Sequence, residues 1–191
     1  IHSTPTGEVT PLKVEVSAQL YVCGITPYDA THIGHANTYL AYDTLGRVLR
    51  DAGIDIAYVQ NVTDIDDPLL ERANATGVDW QELAESQIEL FRRDMSALGI
   101  IPPQHYVGVV ESMDLISAAC ALLLDRDYAY WVRTPEGNPD LYFDIAKAAE
   151  TTPWHLGQES RLDRATMLQL SAERGGDPDR TGKRDPLDPL L

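Results

Sequence analysis

The stretch Tyr21-Val-Cys-Gly-Ile-Thr-Pro-Tyr-Asp-Ala-Thr-His-Ile-Gly-His35 decides the fold, because a strand pattern gives way to a helix pattern within it. The apolar residues Leu20–Val22 predict a short covered strand that ends at Cys23. The segment Gly24–Gly34 contains glycine and proline residues that are typical of a crossover turn. From residue 35 to residue 53, apolar residues recur at helical spacing and a glycine closes the run, which predicts a long helix.

A second strand is predicted from Ile54-Asp-Ile-Ala-Tyr-Val-Gln-Asn61, which is rich in β-branched residues. Strand, helix and strand in this order form a βαβ unit, whose two strands are parallel. We therefore predict an α/β fold built on a Rossmann-type parallel sheet. In open sheets of this kind, ligands bind beyond the carboxyl ends of the strands. Cys23 and Asn61 both fall at that edge.

The rest of the chain predicts further helices and one hairpin. Residues 1–18 read as a loose lead-in or a short β-hairpin. One predicted helix begins at Asp67, taken as a helix cap, and stops at Gly77, and the next begins at Asp79. Further helices are predicted at 111–127 and 161–172, and strands 128–132 and 141–143 are predicted to form a hairpin around Pro135–Pro139. We expect residues 1–104 to be the first half of the catalytic sheet, and 105–191 to be a helix-and-hairpin insertion with the start of a truncated return to that sheet.

Composition narrows the class of protein. The formal net charge is −15, and only three of the fifteen basic residues are lysines, whereas nucleic-acid-binding proteins normally show a basic stripe. We therefore expect small-molecule substrates and no nucleic-acid partner. Neither a membrane-spanning run nor a leader is expected, and the first residue, Ile1, suggests that the natural start lies upstream. Oligomeric state is not predicted.

His32 and His35 lie three residues apart at the start of the predicted helix. A helix start attracts phosphate oxygens, and two imidazoles on one face of the turn can donate hydrogen bonds to them. Gly34 lets a flat ring approach the backbone. A metal-binding pair or a helix cap is the alternative, but a glycine inside a metal-binding helix is costly, so we favour the phosphate interpretation.

Four motifs are similar to those of a known family. His32-Ile-Gly-His35 resembles the HIGH signature of class I aminoacyl-tRNA synthetases, and Cys23-Gly-Ile-Thr-Pro-Tyr-Asp29 with Asn61-Val-Thr-Asp-Ile-Asp-Asp67 resembles their cysteine-specific branch. Glu173-Arg-Gly-Gly-Asp-Pro178 resembles a motif of the ATP-dependent cysteine ligases of mycothiol biosynthesis. The resemblance implies that L-cysteine is activated by ATP with Mg²⁺ and joined to the amine of an amino-sugar inositol.

The same resemblance implies roles for individual residues. His32 and His35 would stabilise charge on the phosphates. Cys23 would be a Zn²⁺ ligand, with the remaining ligands beyond Leu191. The residues implied to surround the adenylate are Cys23, Gly24, Ile25, Thr26, Gly34, Thr38, Asn61, Val62 and Thr63. Structural alternatives remain open: a cysteine at a strand end is often a core residue, and threonines favour turns.

Other polar residues have simpler interpretations. Asp64, Asp66 and Asp67 could bind magnesium, but we prefer a structural role for at least two of them. Cys120 lies in an apolar run and is expected to be a buried helix residue. Two cysteines fit a reducing, cytoplasmic setting.

Two rival functions remain. A cysteinyl-tRNA synthetase would share the HIGH element, but Ile25-Thr26-Pro27 and Asn37 depart from its usual residues. The other rival is a nucleotide-binding module without activity, because a lysine-rich KMSKS loop is absent from these residues. We expect the chain to be an N-terminal portion of the enzyme, inactive by itself.

Overall fold

The computed structural model describes residues 1–134 and 137–191, which divide into two compact units. Lys13–Met113 form the sheet unit, and Ile1–Leu12 together with Asp114–Leu191 form the hairpin unit. In chain order the elements are β1 His2–Ser3, β2 Glu8–Val9, β3 Ser17–Val22, α1 Ile33–Asp51, β4 Asp55–Val62, α2 Asp67–Thr76, α3 Trp80–Ala97, β5 His105–Gly108, a 3₁₀ turn Val110–Ser112, α4 Met113–Asp125, β6 Ala129–Val132, β7 Asp140–Phe143, α5 Ile145–Thr151 and α6 Arg164–Glu173.

The sheet unit contains three parallel strands in the order β3, β4, β5. The helix α1 connects β3 to β4, so the predicted βαβ unit is confirmed. Val22 pairs with Gln60 at the carboxyl end of β3, and Val62 pairs with Gly108 at the end of β5. The ends of all three strands therefore meet at one edge.

The prediction of a covered strand is wrong for Leu20–Val22. Along β3, Val22 is 2% exposed, whereas Tyr21 beside it is 61% exposed. Successive side chains of a strand point to opposite faces, and within the described residues of this unit only one face of the sheet is packed. A short apolar run cannot distinguish a strand covered on one face from one covered on both.

The core of the sheet unit lies between the packed face and the helices α1 and α3. The ring centroids of Tyr39 on α1 and Phe91 on α3 are 5.0 Å apart in an edge-to-face arrangement, which is favourable for aromatic pairs. Its buried members are Val22, Ile25, Tyr39, Ile56, Tyr58, Phe91, Met95 and Ile100. This core holds β3 and the start of α1 in a fixed relation.

Helix ends in the sheet unit follow local chemistry. Gly77 has φ +69° and ends α2, as predicted. Asp79 caps α3 by accepting hydrogen bonds from the amides of Gln81 and Glu82. The prediction that Asp67 caps α2 is wrong: Asp66 is the cap, and Asp67 is already the first helical residue.

From the sequence we predicted that the catalytic sheet ends at residue 104, so that residues 105–113 would belong to the insertion. The structure places β5 in the parallel sheet, paired with β4, and the compact unit continues to Met113. A boundary after residue 104 would separate β5 from the strand to which it is bonded.

The hairpin unit contains the predicted antiparallel pair of β6 and β7, which is confirmed. Pro135 and Glu136, in the predicted connecting turn, lie outside the described residues. Asp188, 1% exposed, accepts hydrogen bonds from the Tyr130 hydroxyl and the amide of Ile145, and so ties the C-terminal segment to the hairpin. Residues 1–12 contribute a second small hairpin, β1 with β2.

The helix α4 is more exposed than its sequence predicts. It begins at Met113 after a 3₁₀ turn, and none of its residues is buried. Cys120 is partly exposed, so its predicted burial is wrong. Leu115 is 74% exposed. An apolar composition predicts burial only if another element covers the helix, and no residue of α4 reaches full burial in the described part of the chain. No helix in the described ranges is long and apolar enough to cross a membrane.

Candidate functional site

The start of α1 is built from the two histidines. His32 is the cap residue, and its Nδ1 accepts a hydrogen bond from the amide of Gly34 at 3.1 Å. In return, Nδ1 of His35 accepts from the amide of His32 at 3.3 Å. The two side chains thus form a reciprocal capping box, a role usually taken by Ser or Thr with Glu or Gln. The imidazole rings stack with centroids 4.0 Å apart.

This arrangement determines where the imidazole protons are. A backbone amide can only donate, so Nδ1 of His32 and Nδ1 of His35 both carry lone pairs. In the neutral rings the proton must therefore be on Nε2 of each. Burial lowers the pKa of His35, and the neighbouring His32 lowers it further. In their neutral form the two rings thus offer two Nε2–H donors at a helix N-terminus, where phosphate oxygens are favoured.

Gly34 is required by the cap itself. A Cβ at Gly34 would lie 2.8 Å from Cε1 and 2.9 Å from Nδ1 of His32. Any side chain at this position would therefore push the imidazole out of its place. The sequence suggested that the glycine leaves room for a ligand, whereas the structure shows that it also leaves room for His32.

The turn after β3 is fastened to the end of β4. The amide of Gly24 donates to Oδ1 of Asn61 at 2.9 Å, and the amide of Thr63 donates to the carbonyl of Ile25 at 2.9 Å. A Cβ at Gly24 would lie 1.5 Å from the carbonyl oxygen of Asn61, so only glycine fits. These two hydrogen bonds join Gly24 and Ile25, after β3, to Asn61 and Thr63, at the end of β4. We call this carboxyl edge of the sheet the rim.

Cys23 lies on this rim with an exposed thiol. Its carbonyl accepts a hydrogen bond from the Tyr39 hydroxyl at 3.2 Å, which links the rim to α1. Burial raises the pKa of Tyr39 to about 12, so this hydroxyl remains a donor. The thiol is a suitable zinc ligand by chemistry, but the described residues contain no group of three or more His, Cys, Asp or Glu side chains that could hold a metal. Cys23 is therefore one candidate ligand of an incomplete set.

The remaining predicted residues occupy different environments. Val62, the last residue of β4, is 2% exposed, and Ile25, in the turn after β3, is 6% exposed and belongs to the core of the sheet unit. Thr26 and Thr63 are partly exposed at the rim. The Thr38 hydroxyl donates to the carbonyl of Gly34 at 3.1 Å, so its proton is used within the helix.

The acidic run after β4 has structural partners. Oδ1 of Asp64 accepts from the amide of Val110 at 3.0 Å, and Asp66 caps α2. Asp67 is exposed in the first turn of α2. Two of the three carboxylates thus have structural roles, as preferred from the sequence.

Sequence reasoning missed two side chains at this edge. The hydroxyl of Tyr21 donates to Oδ1 of Asn61 at 2.9 Å. The hydroxyl of Thr31, just before the cap, donates to the carboxylate of Asp94 on α3. The alternation of β3 placed Tyr21 opposite the buried Val22 and could have drawn attention to it, whereas no sequence signal links Thr31 to Asp94.

The site is an open rim. A cavity of about 360 Å³ lies between the sheet and the helices, where Tyr39, Tyr58 and Phe91 are among its lining residues. None of the predicted site residues lines it. The cavity belongs to the core side of the sheet, so we base the site on the rim.

Residues 9–191 match the family model described as tRNA synthetases class I (C) catalytic domain. The chain belongs to this class I synthetase family. The HIGH element, the parallel sheet and the rim at the strand ends are thus features of a class I catalytic domain.

Curated relatives of this class I domain are named as ligases. The L-cysteine:1D-myo-inositol 2-amino-2-deoxy-alpha-D-glucopyranoside ligase of Clavibacter michiganensis is 62% identical and covers 100% of the chain, while the chain covers 46% of that relative. The ligase of the same name from Clavibacter sepedonicus is 63% identical, with 98% of the chain and 47% of the relative covered. The chain spans about half the length of the curated relatives it matches.

Solved structures support the fold of the class I domain. Methionyl-tRNA synthetase of Mycobacterium tuberculosis, in complex with methionyl-adenylate, superposes with a TM-score of 0.62 at 16% identity. The match covers 86% of this chain and 36% of that one. At this identity the likeness concerns the fold alone.

Proposed function

We propose that the protein is an ATP-dependent ligase that adenylates L-cysteine and then joins it, through an amide bond, to the amine of 1D-myo-inositol 2-amino-2-deoxy-α-D-glucopyranoside. The observation behind this proposal is the identity of 62% along the whole chain to a curated ligase of that name. The motifs and the rim geometry agree with it. A product of this kind is an intermediate of mycothiol biosynthesis.

In the first step, a carboxylate oxygen of cysteine attacks the α-phosphorus of ATP, and the bond from that phosphorus to the oxygen of pyrophosphate breaks. Negative charge grows on the phosphate oxygens. The Nε2–H groups of His32 and His35, aligned by the capping box, are suited to donate to these oxygens without changing their protonation state. Mg²⁺ would accompany ATP and balance the charge of its phosphates.

We propose that Gly24, Ile25, Thr26, Asn61, Val62 and Thr63, with Gly34 and Thr38 of α1, surround the aminoacyl adenylate. The hydroxyl and backbone groups among them can bind an amine, a ribose or an adenine without adding charge. Val62 and Ile25 are buried, so they would shape the rim from below.

We further propose that the exposed thiol of Cys23 is one ligand of a Zn²⁺ ion, the others being supplied from outside these residues. When bound, zinc would favour a substrate thiolate over the hydroxyl of serine, since it prefers sulfur. Replacing Cys23 by Ala in the full-length protein should remove zinc, as measured by metal analysis of the purified protein. Unchanged zinc content would refute the assignment, and Cys120→Ala is the matched control.

In the second step, the amine nitrogen of the amino sugar attacks the carbonyl carbon of cysteinyl-AMP. The bond from that carbon to the phosphate oxygen breaks, AMP leaves, and the amine loses one proton. The rim contributes mainly by positioning the two reactants.

The proposal is tested by incubating the full-length protein with ATP and labelled L-cysteine, and with either the amino-sugar inositol or tRNA. We expect ATP-dependent formation of the amide and no charging of tRNA. Amide formation that is absent in both the presence and the absence of zinc would refute the ligase function.

Cysteinyl-tRNA synthetase is the second candidate, because the matching family model is named for tRNA synthetases. The net charge of −15 favours a small-molecule acceptor over tRNA. Charging of tRNA with cysteine in the same assay would favour this candidate instead.

A further inference from the structure

Tyr21 is an exposed aromatic residue whose hydroxyl nevertheless has a defined partner. The side chain is 61% exposed, on the sheet face opposite Val22. Tyr21 pairs with Val59 in the β3–β4 register, so Asn61 lies two residues further along β4 on the same face. An aromatic side chain can reach such a diagonal neighbour, and the hydroxyl of Tyr21 is 2.9 Å from Oδ1 of Asn61.

The orientation of the Asn61 carboxamide is fixed by its two partners. The amide of Gly24 can only donate, so the atom that faces it at 2.9 Å must be the oxygen Oδ1. The hydroxyl of Tyr21 then donates to the same oxygen. Nδ2, at the other end of the carboxamide, makes no hydrogen bond to the part of the chain that the structure describes. Its two N–H donors are thus left available at the rim.

We propose that Tyr21 is a positioning residue, whose hydroxyl holds the Asn61 carboxamide so that its Nδ2–H groups donate to an oxygen of the bound substrate. This proposal rests on the proposed function. Without the hydroxyl, Oδ1 keeps only the Gly24 amide, and the carboxamide regains freedom to rotate. The donors would then be aligned for only part of the time.

Tyr21→Phe removes the hydroxyl and keeps the ring. We expect the KM for cysteine in cysteine-dependent ATP–pyrophosphate exchange to rise about 3- to 10-fold, since one hydrogen bond contributes about 0.5–1.5 kcal/mol. The kcat should change by less than about twofold, because a donor that binds substrate and transition state alike affects KM alone. The Tm should be unchanged. Tyr42→Phe is the control, since Tyr42 is an exposed tyrosine of α1, 38% exposed.

A double-mutant cycle separates positioning from a direct or merely structural role. If Tyr21 acts through Asn61, then Tyr21→Phe should add nothing to the effect of Asn61→Ala on the KM for cysteine. Independent, additive effects of the two substitutions would overturn the proposal. So would a wild-type KM in Tyr21→Phe, or an effect equal to that of Tyr42→Phe.

Failure of the proposed function would be recognised separately, as absence of cysteine-dependent exchange in the wild-type protein. The affinity for ATP, measured by calorimetry, then replaces KM in the same cycle. Weaker binding in Tyr21→Phe with no further loss in the Asn61→Ala background supports positioning. Unchanged binding, or additive losses, overturns it.

Discussion

His32 and His35 act together, because each completes the other's contact with the backbone. Their Nδ1 atoms satisfy two amides at the start of α1, which would otherwise lack partners. The pattern of two histidines and a glycine predicted from sequence that they share one face of the helix start. It could not predict the reciprocal cap, because that depends on the rotamers of both imidazoles.

Gly34→Ala should disturb the His32 ring while favouring the helix. The added Cβ would lie 2.8 Å from the imidazole, whereas alanine has a higher helix propensity than glycine. We expect the rate of cysteine-dependent pyrophosphate exchange in the full-length protein to fall by about 100-fold, the lower limit of the loss that follows removal of one donor to a developing charge. The Tm should not fall.

Gly46→Ala is the matched control in the same helix. A Cβ there would meet only the flexible end of Arg50 at 3.2 Å, so exchange should remain normal. Equal losses in both variants would show that the effect comes from the helix and not from His32.

His35 makes one contribution to the pH dependence of the protein's stability. Burial lowers its pKa from 6.5, so between the folded pKa and 6.5 the unfolded chain binds more protons than the folded one. Stability from this group is therefore complete above pH 6.5 and is lost as the pH falls through that interval. The slope of Tm against pH just below 6.5 should be smaller in His35→Gln than in wild type. An identical slope in both would contradict the assignment.

At the scale of elements, the sequence predicted helix ends that carry a strong local signal, but it did not predict the short strand β5. Gly77 and Asp79 marked the end of α2 and the start of α3. The strand β5 was missed because His105–Gly108 is too short to show a period, and its identity comes from pairing with β4. The sequence prediction placed the cap of α2 one residue too late, because Asp66 and Asp67 are both aspartates and either could cap a helix.

Asp79→Ala should destabilise α3. Oδ1 of Asp79 accepts from two amides of the first turn, and removal of such a cap costs about 1 kcal/mol. Urea unfolding should show this loss, and hydrogen exchange should locate it in the first turn of α3. Glu85→Ala, at an exposed position of the same helix, should change the free energy of unfolding by less than about 0.5 kcal/mol. A similar loss in both variants would argue against the cap.

At the scale of the whole molecule, the net charge of the chain follows from its sequence alone. The net charge of −15 gives mutual repulsion among the acidic side chains, which opposes compactness. The exposure of α4, by contrast, was not predictable, because composition cannot tell whether another element covers an apolar helix. The rim likewise depends on long-range contacts between residues near 24 and 61, which become neighbours only in the sheet.

Salt should stabilise the protein at neutral pH. Raising NaCl from 10 to 500 mM shortens the screening length from about 30 Å to under 10 Å and weakens the repulsion. We expect the Tm to rise by about 2–4 °C, which corresponds to about 1 kcal/mol for a chain of this size. Near the sequence pI of 4.5 the net charge is close to zero, and the effect should vanish there. A rise of equal size at both pH values would mean that repulsion is not its cause.

The imidazoles cap α1 and, in our proposal, also bind phosphate, and these two roles limit how the protein could be redesigned for stability. A routine choice for the residue before α1 would be Ser or Asp, either of which accepts the amide of the first turn well. Such a replacement of His32 would keep a helix start and remove an Nε2–H that we propose donates to the nucleotide phosphates. Thermostability screens run without an activity assay would therefore select, at this position, for variants that have lost part of the proposed site.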